Sequence, residues 1–179
     1  VREAKAALRK EMKARLRDRP AAAGAEESRR ICDWLRPRLG KGNVAAFYPL
    51  PGEVDVRPLL AELATAGRLL LPRVEGVSLT LHRVDDLSTL APGPLGLLEP
   101  SGEHSQVDAA ELAVVLVPGL AFTRAGARLG RGKGFYDRLL AGLPEGCGTI
   151  GVGFSDQVVP SLPVEAHDRP LGAVVLATP

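Results

Sequence analysis

The sequence predicts a single-domain α/β protein built on a mostly parallel, doubly wound (Rossmann-like) sheet with helices on both faces. Three observations predict it. Helical periods alternate with short apolar runs from residue 43 onward, and the valine-rich run Ala113–Val117 suits a strand buried on both faces. That run stops at Pro118 and Gly119, shortly before a glycine-rich segment, and sheets of this class bind ligands beyond the carboxyl ends of their strands. At 179 residues and 45% hydrophobic content the chain can form one sizeable core, so residues 1–179 are read as one domain.

The elements follow in order. Residues 3–18 predict a helix packing on the body, because Ala4, Leu8, Met12 and Leu16 recur every four positions with no Gly or Pro before Pro20. A second helix is expected over residues 22–36, with Ile31, Trp34 and Leu35 inward and Pro37 and Gly40 closing it. Asn43 to Tyr48 predicts a strand, Arg57 to Ala66 a helix with Leu59, Leu60 and Leu63 inside, and Leu69 to Leu71 the next strand. Residues 78–84 alternate in a way that suggests an extra strand with one polar face, and residues 91–106 read as a Gly/Pro-rich loop. After the central run come a helix over residues 135–142, a strand from Thr149 to Phe154 and a last strand from Ala173 to Ala177.

Composition narrows the function. A net charge of +2 is too small for a sustained basic stripe, which points to an acidic small molecule rather than nucleic acid. Cys32 and Cys147 lie far apart without metal-ligand spacing, so both are read as reduced structural thiols. The first residues lack an apolar signal core, and no stretch approaches the roughly 18 uncharged residues of a membrane span. The cytoplasm is the expected address, and a monomer the expected state.

The segment Arg128–Asp137, RLGRGKGFYD, is the most informative in the chain. It is neither a P-loop nor a G-x-G-x-x-G turn, since Ala127 and Gly134 break the first pattern and the alternation of Gly130, Gly132 and Gly134 breaks the second. Alternating glycines let backbone N–H groups form a concave nest, and Arg128, Arg131 and Lys133 add charge-assisted bonds. That chemistry predicts a phosphate site rather than a solvated turn. Asp137 has two readings, a first-turn cap or a carboxylate for Mg2+ beside phosphate oxygens.

Other candidates are weaker one by one. Lys5, Arg9, Lys13 and Arg17 form an i+4 row that either reaches phosphates through Lys5 and Arg9 or is a solvated face. Tyr48 and Glu53 follow the first strand, where a ring and a carboxylate could orient a heterocycle or be ordinary core and surface residues. His167 reads as a hydrogen-bonding loop residue and Asp168 as a second metal carboxylate.

Together these residues resemble the 5-formyltetrahydrofolate cyclo-ligase (5,10-methenyltetrahydrofolate synthetase) family. The shared stretches are Lys5 with Arg9, FYPLPGEVDV from Phe47, LLLP from Leu69, Gly96 to Pro100, Val117 to Asp137, GVGFSDQ from Gly151, and the pair His167 and Asp168. The resemblance implies that ATP is held by Lys5, Arg9, Arg128, Leu129, Gly130, Arg131, Gly132, Lys133, Gly134, Phe135 and Tyr136. It implies folate contacts from Tyr48, Glu53 and residues 131–135, namely Arg131, Gly132, Lys133, Gly134 and Phe135, and Mg2+ held by Asp137 and Asp168. The implied reaction is the ATP-dependent closure of 5-formyltetrahydrofolate to 5,10-methenyltetrahydrofolate, with Arg128, Arg131 and Lys133 acting on the transferring phosphoryl group. Alternatives are a sugar-phosphate isomerase-like enzyme that spends no ATP, or a non-catalytic nucleotide- or RNA-binding module.

Overall fold

The computed structural model describes residues 1–94, 96–165 and 168–175, and the statements below concern these. Two helices, α1 (Arg2–Arg17) and α2 (Ala21–Leu35), precede the sheet. Then come β1 (Asn43–Ala45), α3 (Arg57–Thr65), β2 (Leu69–Glu75), β3 (Ser78–Arg83), β4 (Ala91–Pro92), β5 (Leu98–Glu99) and β6 (Gln106–Val107). The chain continues through β7 (Leu112–Pro118), β8 (Ala121–Phe122), β9 (Arg128–Leu129), α4 (Phe135–Ala141), β10 (Gly148–Val152) and β11 (Ala173–Val175).

Seven strands form one sheet in the order β11-β10-β7-β1-β2-β3-β6, parallel from β11 to β2, with β3 and β6 antiparallel at one edge. Counted along the chain, the parallel strands run second, first, third, fourth, fifth, so the order reverses between β1 and β7. This is the flavodoxin-like variant of the doubly wound fold, in which a crevice opens beyond the carboxyl ends at the reversal. Two short ribbons, β4 with β5 and β8 with β9, lie outside the sheet.

Alternation of side chains divides the core. Val44, Leu69, Leu71, Val114 and Leu116 pack with Met12, Ile31, Leu35, Leu59 and Leu60 of α1, α2 and α3. Their neighbours Ala45, Leu70, Val115 and Val117 pack on the opposite side, where Tyr136, Leu139 and Leu140 of α4 cover them. Helices therefore lie on both faces, three against one.

Several expectations shift in detail. Helix α1 buries Lys5, Met12 and Leu16 while Ala4 is exposed. A turn holds 3.6 residues, so a row drawn every four positions drifts off the buried face, and Lys5 replaces Ala4 in the first turn. Strand β1 stops at Ala45, although the Ala46 N–H still donates to Leu70 O at 3.0 Å; Phe47 and Tyr48 then leave the sheet. The supposed loop over residues 91–106 contains the β4/β5 ribbon and the start of β6. His82, expected on a polar face of β3, is only 4% exposed, its ring nitrogens bonded to Thr80 Oγ1 and His104 O at 2.9 Å each. Helix α4 ends one residue before the expected Gly142, and β11 is described only to Val175; His167 and Ala177 lie outside the described residues.

Candidate active site

At the sheet reversal the segments after β1 and β7 diverge, and a cleft of about 680 Å³ opens between them. Phe47, Tyr48 and Glu53 enter it from the β1 side, Pro118 and Gly119 from the β7 side, and the whole segment Arg128–Asp137 lines it. Lys5 and Arg9 of α1 and Asp168 also line it, so every predicted site residue meets in one cavity.

The glycine segment is held open by specific contacts. The β8/β9 ribbon launches it, with the Leu120 N–H donating to Leu129 O at 2.7 Å. Gly134, at φ +68, caps α4 in the left-handed region that favours glycine. Arg9 Nε donates to Gly130 O at 2.9 Å, so α1 pins the segment from outside. Helix α4 has only seven residues, which leaves the loop's own N–H groups and cations as its main anion-binding equipment.

Its three cations differ in what they touch. The Arg128 side chain is 5% exposed and bonds Asp137 Oδ1 at 2.5 Å and Pro118 O at 3.3 Å. Arg131 reaches across the cleft to Glu53 Oε1 at 2.7 Å, while the other oxygen of Glu53 accepts the Leu50 N–H at 3.0 Å. Lys133 is exposed, and among the described residues its ammonium has no hydrogen-bond or ion-pair partner. Phe135 is half-buried beside Arg138, whose guanidinium carbon lies 5.6 Å from the ring centre. Burial pushes the Tyr136 phenol well up, with the charge of Glu53 adding to the effect and Arg128 opposing it.

A second charged cluster stands at the start of α1. Lys5 Nζ bonds Glu165 Oε2 at 2.8 Å and Asp168 Oδ2 at 2.7 Å. Burial alone would lower the lysine, but the hydrogen bonds and charges of the two carboxylates outweigh it and hold the ammonium above its ordinary range. The Asp168 carboxylate also accepts the Glu165 N–H at 2.7 Å. Lys5 is thus neither a solvated cation nor, in this state, turned to an outside anion. Asp137 stands in the first turn of α4, and its carboxylate accepts from Arg128.

The facing wall was not foreseen. Leu71, Pro72 and Val74 of β2, Leu79 of β3, and Leu97 and Leu98 at the β4/β5 ribbon make it largely apolar, the exception being the buried carboxylate of Glu99 in β5, whose Oε2 accepts the Val74 N–H at 3.2 Å. Among the described residues no aromatic side chain lines the cleft from β2, β3 or the β4/β5 ribbon. The stretch Gly96–Pro100 was legible as a motif, yet its place opposite the glycine segment depends on the ribbon. Glu165 also escaped notice, because an isolated acid near the end of a sequence carries no periodic signal.

A cation-rich glycine segment and a largely apolar wall share one cleft at the sheet reversal, where folds of this class hold small-molecule ligands. Residues 1–177 match the family model described as 5-formyltetrahydrofolate cyclo-ligase. The 5-formyltetrahydrofolate cyclo-ligase of Mycolicibacterium smegmatis is 33% identical over 177 residues, covering 92% of this chain and 89% of the relative. The enzyme of the same name from Escherichia coli K12 is 37% identical over 139 residues, covering 74% of this chain and 76% of the relative. The solved 5,10-methenyltetrahydrofolate synthetase of Aquifex aeolicus superposes with a TM-score of 0.87 at 35% identity, covering 98% of this chain and 90% of that one. The chain belongs to the 5-formyltetrahydrofolate cyclo-ligase family. It is accordingly a ligase of folate one-carbon metabolism with ATP as co-substrate.

Proposed function

We propose that this cleft closes 5-formyltetrahydrofolate to 5,10-methenyltetrahydrofolate at the expense of ATP, with the glycine segment as the ATP side and the aliphatic wall as the folate side. The observation that carries this reading is the single cleft of about 680 Å³ holding both walls and all the predicted residues.

The chemistry follows from the substrate. A formamide oxygen is a poor leaving group, so it first attacks the γ-phosphorus, breaking the bond to the β-phosphate oxygen and releasing ADP. N10 then adds to the activated carbon, the carbon–oxygen bond breaks, inorganic phosphate departs and N10 gives up its proton. No side-chain nucleophile is needed; the protein positions two substrates and neutralises charge.

Lys133 is assigned to the transferring phosphoryl group, because its ammonium has no ion-pair partner among the described residues and stands in the loop. Backbone N–H groups of residues 129–136 cradle the remaining phosphates. Arg131 exchanges Glu53 for phosphate oxygens, which frees a Glu53 oxygen to accept N–H groups of the pterin beside Tyr48. Arg128 acts through Asp137, fixing the carboxylate by the 2.5 Å bond. Lys5 and Arg9 hold the outer phosphates from α1.

Among the described residues no three acidic, histidine or cysteine side chains gather into a metal site. Magnesium nevertheless fits the donor chemistry, since it takes one or two carboxylates and completes its shell with phosphate oxygens and water. Asp137 and Asp168 are the carboxylates assigned to it, each now neutralised by a cation, Arg128 and Lys5 respectively. When bound, magnesium supplies charge neutralisation of the triphosphate.

Every residue assigned to the site comes from one chain, which favours a monomer, and a single species of 18.9 kDa is expected by sedimentation. No helix among the described residues is long and apolar enough to cross a membrane. The deciding experiment mixes the purified protein with ATP, magnesium and 5-formyltetrahydrofolate. Appearance of the methenyl absorbance with stoichiometric ADP is expected. Absence of both overturns the reading, and absorbance without ADP overturns the ATP assignment.

A further inference from the structure

We infer that Gln157 is a positioning residue for the ATP half of the cleft, an inference that rests on the functional reading above. It lies outside the cleft lining, yet it is 2% exposed with both ends of its amide engaged. Its Oε1 accepts the Phe154 N–H at 2.7 Å, while its Nε2 donates to Gly119 O at 2.8 Å and Leu120 O at 3.1 Å. The two acceptor carbonyls belong to the turn that carries the chain out of β7 into the cleft.

From that turn the contacts run directly to the proposed ATP-side residues. Pro118 O, next to the clamped carbonyls, receives Arg128 Nη1 at 3.3 Å, and Arg128 Nη2 holds Asp137 at 2.5 Å. The turn also packs tightly under the arginine. A Cβ placed on Gly119 would lie 3.1 Å from Arg128 Cγ and 2.7 Å from Phe122 Cζ. A shift of the Gly119 carbonyl therefore reaches the Asp137 carboxylate through one side chain.

The other end of the relay is anchored as firmly. The turn Ser155–Gln157 is held by α2 through Glu27 Oε1, which accepts the Ser155 N–H at 2.5 Å. Arg19 pairs with both Glu27 and Asp156, and Arg15 of α1 donates to Asp156 O at 3.0 Å. The Val159 N–H donates to Phe122 O at 2.8 Å, joining the same segment to β8. Gln157 thus transmits the position of the two N-terminal helices to the β7 exit turn. Lys5 and Arg9 come from α1 as well, so one frame sets both flanks of the phosphate side. Among the described residues, none of these hydrogen bonds or ion pairs involves β2, β3 or the β4/β5 ribbon, which make the folate wall.

That asymmetry supplies the test. Gln157→Met conserves volume and removes both polar ends; Gln157→Glu keeps the acceptor for Phe154 and removes the donor to Gly119 and Leu120. Both variants are expected to lower kcat by about 10- to 100-fold and to raise KM for ATP, with KM for 5-formyltetrahydrofolate held within about twofold. Calorimetry of ATP binding without folate should show the same weakening. Leu63→Ala, buried in α3 away from the relay, serves as a comparator that lowers Tm without changing the ratio of the two KM values. Equal shifts of both KM values, or a loss of Tm alone, would overturn the inference. Failure of the wild-type protein to turn over would instead overturn the functional reading, leaving the ATP calorimetry to decide the relay.

Discussion

The two walls of the cleft are built on opposite principles. The glycine segment is polar and largely neutralised in advance: Arg128 is spent on Asp137, Arg131 on Glu53 and Arg9 on a backbone carbonyl, leaving Lys133 without an ion-pair partner among the described residues. The facing wall is largely aliphatic, assembled from Leu71, Val74, Leu79, Leu97 and Leu98 on three different strands or their flanks. A charged wall can be written into ten consecutive residues because each cation needs only a backbone that bends correctly. An apolar wall is a surface, and a surface needs side chains from separate strands brought to one level.

The largest effect expected from this contrast is at Lys133. Among the described residues its ammonium has no hydrogen-bond or ion-pair partner, so Lys133→Ala should cost about 10²- to 10³-fold in kcat with Tm unchanged, read by steady-state kinetics and thermal melts. A comparable loss of Tm would make Lys133 structural and erase the distinction drawn among the three cations. Arg131→Ala comes next, at about 10- to 100-fold in kcat/KM. Because Arg131 is 39% exposed, its ion pair with Glu53 contributes at most about 1 kcal/mol to folding. A double-mutant cycle with Glu53→Gln should show that the two residues are coupled in catalysis. Strict additivity would mean that their partner exchange plays no part in turnover.

Leu98→Ala tests the opposite wall. Removing that aliphatic surface should raise KM for 5-formyltetrahydrofolate by roughly 10-fold and leave KM for ATP untouched. A reversed pattern would exchange the assignments of the two walls.

The smallest effect is reserved for a region outside the cleft. Burial pushes the Cys32 thiol up to about 11, and Cys147 is raised less by the same cause. Aromatic disulfide reagents at pH 8 should therefore label Cys147 first and Cys32 only on unfolding, with activity unaffected by the first event. The folded state keeps the Cys32 proton longer than the unfolded chain does, so its contribution is constant below the unfolded value of 9.0 and stability falls as pH rises from there toward 11. Melting curves between pH 8 and 10.5 read this directly.

The alternation of helix and strand, the buried central run at Val114–Val117 and the glycine-cation pattern of Arg128–Asp137 were all legible in the sequence. Each is a local pattern: periodicity follows from 3.6 and 2 residues per repeat, and an alternating glycine-cation run has little use as packing. The motif Gly151–Gln157 was visible too, but not its use. Gly151 and Gly153 make room for the fully buried Phe122 ring, and Gln157 reaches back to residues 119 and 120.

What only the tertiary structure decided is partnership. Sequence could place a carboxylate at Asp137, Asp168 or Glu53, but an ion pair spans any number of residues, and the partners here stand 9, 163 and 78 positions away. Residue type sets which chemistry is possible at a position. Which charges meet, and which one is left for a ligand, depends on the strand order that brings β1 and β7 side by side.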